Sequence, residues 1–134
     1  MALRTKTQWF GIVLDAPDAR ELAHFYARLL DWKIFNEADD WVDLTPSRDA
    51  GYNMAFATDE KYVRPVWPTE DDKQQMQIHF DIAVDDLDHA AEFAVSVGAE
   101  LAAYQPQMDV RVMLDPAGHP FCLYLDTPFE PDDD

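Results

Sequence analysis

Two short stretches of the chain hold side chains that can do chemistry. In QIHFDIAV, residues 77–84, His79 and Asp81 stand two apart, a spacing that puts both on one face of a strand. An imidazole titrates near neutrality, so His79 could serve as a general base or a polar anchor. Asp81 could orient it or hold a cationic ligand. In DPAGHPFCLYLD, residues 115–126, a turn runs into a short apolar strand whose second position is Cys122, the chain's only cysteine. Three readings are open for that thiol. It could be a soft ligand beside His79, suited to zinc if Asp81 or water completed the set. It could be a nucleophile activated by positive charge from His79 or Arg111. The reading favoured on general grounds is an unreactive, half-buried wall residue. His119, in the PAGHP turn, reads as structural, while His24 and His89 fall on helix surfaces.

These residues need a scaffold, and the pattern around them is written twice. Residues 8–16 alternate, with Phe10, Ile12, Leu14 and Ala16 on one face and Trp9, Gly11, Val13 and Asp15 on the other. Asp18, with Glu21 three residues on, predicts a helix N-cap, and Leu22, Phe25, Tyr26, Leu29 and Leu30 follow at helical spacing. Strands are predicted at 33–35, 41–45 and 52–58, separated by EADD and PSRDAG turns. The order recurs as a strand over 77–84 and a helix capped by Asp86, with Leu87, Ala90, Ala91, Ala94 and Val97 inward and Gly98 at its end. Strands at 100–104, 110–114 and 121–125 complete the second copy. A shift of 68 residues lays Ile12 on Phe80, Asp18 on Asp86, Leu22 on Ala90 and Phe25 on Phe93.

Two β-α-β-β-β modules are therefore expected, about 8–58 and 76–126. Neither is long enough to bury an adequate core alone, so one domain spanning 1–134 is expected. Between them DEKYVRPVWPTEDDKQQ, residues 59–75, reads as a proline-stiffened crossover in which Trp67 covers a sheet edge or rim, or closes over a pocket.

Composition narrows the function. Apolar residues make up 48% and aromatics 13%, enough for an ordered globule. A single cysteine cannot form an internal disulfide, and MALRTKTQWFGIVLDAPD holds no apolar segment long enough for a signal peptide or membrane span. A soluble cytoplasmic protein is expected. Ten basic against 27 acidic side chains give a formal charge of −17, part of it in a tail over 127–134 that ends EPDDD. Such a surface repels phosphate backbones and anionic membranes, so neither nucleic acid nor membrane is an expected partner. It would attract a cationic small molecule.

The paired modules, the DAPD helix start, the DPAGHPFCLYL turn and strand, and VWPTEDDKQQMQIHFDIAVDDLD resemble the vicinal oxygen chelate superfamily, in its glyoxalase, bleomycin-resistance and extradiol dioxygenase branch. The resemblance implies an α+β fold whose paired, curved mixed sheets enclose a trough. It also implies a homodimer, and a range of activities from lyases, epimerases and ring-cleaving dioxygenases to non-catalytic drug binders. Metal-using members take one ligand from the first and one from the last strand of each module, and the ion chelates two neighbouring substrate oxygens. Carried onto this chain, those positions are Gly11 and Ala57 in the first module, and His79 and Cys122 in the second, where Cys122 replaces the motif's glutamate. Only His79 keeps a usual ligand, so no cofactor is expected, and a divalent metal would sit at His79 if one is bound.

Alternation places Trp9, Asn53, His79 and Asp81 on the concave face, together with Arg111, Met113, Cys122 and Tyr124, and leaves Trp67 at the rim. Arg111 would clamp an anion and Asp81 a cation, so the polarity of the ligand stays open. Two functions follow. The deficit of metal ligands favours a small-molecule-binding protein with a degenerate metal site, taking an aromatic or cationic compound. The alternative is a metal-dependent lyase, isomerase or dioxygenase acting on a small oxygenated metabolite, with His79 as its catalytic residue.

Overall fold

The computed structural model describes residue 3 and residues 8–126, so the acidic tail lies outside the described residues. The chain divides into two compact units, Met1–Val63 and Arg64–Asp134. In the first, β1 (Phe10–Ala16) leads into α1 (Ala19–Leu30), followed by β2 (Lys33–Glu37), β3 (Trp41–Thr45) and β4 (Tyr52–Thr58). The helix starts where expected because Asp18 Oδ1 accepts from the backbone N–H of Arg20 at 3.0 Å and of Glu21 at 3.4 Å, filling positions that have no partner inside the helix. It stops at Asp31, whose φ of 55° is a left-handed conformation that aspartate adopts more readily than most residues.

The sheet runs β1-β4-β3-β2, with β1 parallel to β4 and the other pairs antiparallel. One face packs on α1, where Leu14, Val42, Leu44 and Phe56 are buried with Leu22, Phe25 and Tyr26, and the Tyr26 ring stacks on Phe56 at 5.7 Å. Removing each such side chain from water contributes about 1.5–3 kcal/mol, which is what holds helix to sheet. The opposite face carries Gly11 and Val13 beside Asn53 and Ala55, and Ala55 in turn beside Asp43.

The second unit repeats the plan as β5 (Phe80–Val84), α2 (Leu87–Ser96), β6 (Glu100–Leu101), β7 (Val110–Leu114) and β8 (Pro120–Leu125), in a sheet ordered β5-β8-β7-β6. Asp86 Oδ1 accepts from His89 N–H at 3.0 Å, and Gly98 ends the helical segment with φ of 125°. Three expectations need correction. The strand expected over 77–84 begins only at Phe80, so Gln77, Ile78 and His79 lead into it. The strand expected over 100–104 ends at Leu101 because the Gln105 side chain takes over its pairing: Oε1 accepts from Val112 N–H and Nε2 donates to Val112 O, both at 2.8 Å. The repeat also fails inside the helices. Phe25 is buried but Phe93 is 49% exposed, since α2 lays the small residues Ala91 and Ala94 on its sheet where α1 lays aromatic rings. Among the described residues no helix is long and apolar enough to cross a membrane.

Candidate functional site

The register of the second sheet decides which side chains share the face away from α2. Asp81 pairs with Cys122 in the parallel β5–β8 ladder, and Cys122 pairs with Val112 in the antiparallel β7–β8 ladder, with Val110 opposite Tyr124. Laterally paired residues point the same way, so Asp81, Ala83, Val110, Val112, Cys122 and Tyr124 form one face. His79 enters it from the residue just before β5, its Nε2 3.2 Å from Asp81 Oδ1. One ligand atom each from His79, Asp81 and Cys122 lie within 4.8 Å of one another. The expected grouping of His79, Asp81, Cys122 and Tyr124 is thus present.

Over this face opens a cavity of about 740 Å³. Its carboxylates are Asp81, Asp109 and Asp126, its apolar wall is Val110, Tyr124 and Leu125, and His79, Gln107 and Cys122 complete it. No lysine or arginine lines it among the described residues. Asp109 and Asp126 were not singled out from the sequence, although the signal was available: they flank β7 and β8, and antiparallel pairing brings the start of one strand beside the end of the other. The Cys122 thiol has its pKa pushed up, first by burial and then by the negative charge of Asp81. That is the reverse of what a nucleophilic cysteine needs.

Arg111 and Met113 are not on this face. Arg111 pairs with Leu123 and Met113 with Phe121, placing both on the α2 side. There the Arg111 Nη2 donates to Asp88 Oδ1 at 3.4 Å and its Nη1 to Met108 O at 2.8 Å, while Met113 is fully buried. Both apolar and mixed readings of VRVML satisfy alternation, so parity alone could not choose the face. Trp67 does not line the cavity; its Nε1 donates to Tyr104 O at 3.2 Å and its ring packs on Tyr104 at 6.2 Å, in the β6–β7 loop. His119 is structural: its ring Nδ1 lies 2.8 Å from Asp115 Oδ2, and Asp115 Oδ1 accepts the backbone N–H of Ala117 and His119.

On the equivalent face of the first unit the polar side chains bond to one another. Trp9 Nε1 donates to Asn53 Oδ1 at 2.7 Å, Asn53 Nδ2 donates to Asp43 Oδ1 at 3.2 Å, and Trp41 Nε1 and Asn36 Nδ2 both donate to Asp43 Oδ2 at 3.0 Å. Trp9 and Asn53 therefore do meet, but as members of a satisfied network. A side chain at Gly11 would overlap Asn53 Oδ1, so Asn53 would have to shift to admit one. The counterpart of Cys122 is Ala55 rather than Ala57, because Val13, the repeat partner of Asp81, pairs with Ala55. The correction leaves the ligand count unchanged, since alanine offers no donor at either position.

The resemblance to known proteins covers most of the chain. A family model described as a glyoxalase-like domain matches residues 11–124. No curated protein matches the chain in sequence. Among solved structures, a glyoxalase-related enzyme from Fulvimarina pelagi superposes with a TM-score of 0.64 at 17% identity, covering 95% of each chain. A fosfomycin resistance protein from Mesorhizobium loti gives 0.60 at 15% identity, also covering 95% of each. A lactoylglutathione lyase from Agrobacterium tumefaciens gives 0.57 at 14% identity, covering 91% of this chain and 96% of its own. At such identities these likenesses speak for the fold alone. With two four-stranded mixed sheets, two helices and a family match over nearly its whole length, the chain belongs to the glyoxalase-like family of the vicinal oxygen chelate superfamily.

Proposed function

We propose that the His79 face of the second unit binds a small organic cation with a planar apolar part. One observation carries the reading: the cavity gathers the carboxylates of Asp81, Asp109 and Asp126 and no basic side chain, Arg111 being engaged with Asp88 on the other side of the sheet. Tyr124 supplies an aromatic surface on which a cation can lie, and a formal charge of −17 raises the local concentration of cations. Calorimetric titration with the 1-ethylquinolinium cation tests this. Micromolar binding, weakened at least about tenfold in Asp81→Asn/Asp126→Asn, supports it. Affinity unaltered by that double substitution would sink it.

A second reading has its own support. The nitrogen, oxygen and sulfur donors of His79, Asp81 and Cys122 fit a thiophilic divalent ion such as zinc better than a hard one. Such an ion, when bound, supplies Lewis acidity toward a substrate oxygen, the requirement of a metal-dependent lyase, isomerase or dioxygenase. Here Cys122 would have to surrender a proton that burial and Asp81 both retain, and the first unit offers Gly11 and Ala55 in place of ligands, which is why we rank this reading second. Elemental analysis of protein purified without added metal separates the two: stoichiometric metal, lost in His79→Ala, would reverse the ranking. A homodimer belongs to the proposal by family likeness, and light scattering that returns only the 15.4 kDa protomer would remove it.

A further inference from the structure

A cavity in the first unit has the opposite electrostatics, and we propose that it binds a small aromatic carboxylate. It measures about 390 Å³, within the usual range of small-molecule sites. Trp9 and Phe35 form its aromatic wall, with ring centroids 6.5 Å apart and planes at 73°, and Ile34 adds to the apolar surface. This wall is set before any ligand arrives. Trp9 is pinned through Nε1 to Asn53 Oδ1 at 2.7 Å, and Asn53 is held in turn by Asp43. Phe35 stands at the irregularity where the register of β2 on β3 shifts between Ile34 and Asn36, the kind of bulge that re-aims a side chain. A wall already in place spares the ligand the cost of ordering it.

The polar members of the cavity point to an anion. Lys33 and Arg48 line it, and no carboxylate does among the described residues. Neither cation is in an ion pair among the described residues. In a chain with 27 acidic and only 10 basic side chains, two cations without an acidic partner beside one aromatic wall are the reverse of the surface average. The Thr45 hydroxyl is committed to Ser47 O at 2.9 Å and Tyr52 O at 3.0 Å, so charge recognition falls to Lys33 and Arg48. A guanidinium can meet a carboxylate with two parallel N–H···O bonds, and an ammonium adds a point charge. An inorganic anion would leave the Trp9 and Phe35 surface unused, whereas an aromatic carboxylate engages both parts. This site shares no residue with the cation site proposed above and stands or falls separately.

The test is a titration of the full chain with 2-naphthoate, followed by tryptophan fluorescence. Saturable binding with Kd below about 1 mM is expected, at least about tenfold weaker for the neutral 2-naphthamide and for Lys33→Gln/Arg48→Gln. Both replaced side chains are exposed, so the variant keeps its fold, and the naphthamide comparison needs no variant. Absence of saturable binding, equal affinity for the amide, or affinity indifferent to the double substitution would overturn the proposal.

Discussion

Replacing Gly11 with alanine should destabilise the first unit through a residue on another strand. Gly11 lies in β1 without a positive φ, so its backbone imposes no requirement for glycine; the constraint is the Asn53 side chain, whose Oδ1 a methyl at 11 would overlap and whose Cγ it would approach to 3.3 Å. To admit the methyl, Asn53 must swing away and release both Trp9 and Asp43. The bond from the indole contributes about 0.5–1.5 kcal/mol net, and the bond to the partly exposed Asp43 carboxylate about 1–1.5 kcal/mol. Alanine in a strand recovers about 0.5–1 kcal/mol of the glycine entropy. The net loss is then about 0.5–2.5 kcal/mol. In an Asn53→Gly background the same substitution should be neutral or slightly stabilising, because nothing remains to be displaced. Urea unfolding of the four proteins, followed by tryptophan fluorescence, gives the coupling directly, with an expected value of about 1.5–3 kcal/mol, the two bonds without the glycine entropy. If Gly11→Ala costs the same in both backgrounds, the claim that Asn53 occupies the vacant ligand position is wrong.

Three further outcomes are expected. Cys122 should alkylate with iodoacetamide more slowly than a small free thiol at pH 8, with a midpoint above that of the free thiol that moves back down in Asp81→Asn; a midpoint at or below that of the free thiol would contradict the burial and charge assigned to it. Asp115→Ala should cost about 2–4 kcal/mol in thermal unfolding, since this buried carboxylate accepts the N–H of both Ala117 and His119; a loss under about 1 kcal/mol would show that the turn holds without it. The Glu37 carboxyl is held below its ordinary value of 4.5, chiefly by its hydrogen bond with His24 and further by Arg20. Its contribution to stability is therefore complete above pH 4.5 and fades as pH falls through the lowered value, so Glu37→Gln should flatten the acid limb of Tm against pH there; an unchanged limb would refute the pairing.

The two modules, their helix caps and most strand limits were legible in the sequence because they depend on local physics. Asp18 and Asp86 cap whatever helix follows them, and WVDLT and YNMAFAT alternate strongly enough to set β3 and β4 without reference to the rest of the fold. The pairing of His79 with Asp81 and the facing of Cys122 with Tyr124 were equally readable, since each pair sits two apart on one strand or strand approach. The sign of the cavity was not. Alternation says which residues of VRVML share a face, but Val110, Val112 and Leu114 are as apolar as Met113, and only the ladder to β8 sends Arg111 to the helix side and so takes its guanidinium away from the cavity. In the same way, glycine at position 11 reads from sequence as a missing ligand. Only the packing of β1 beside β4 reveals it as space already taken by Asn53, because that contact joins residues far apart in the chain and leaves no periodic trace.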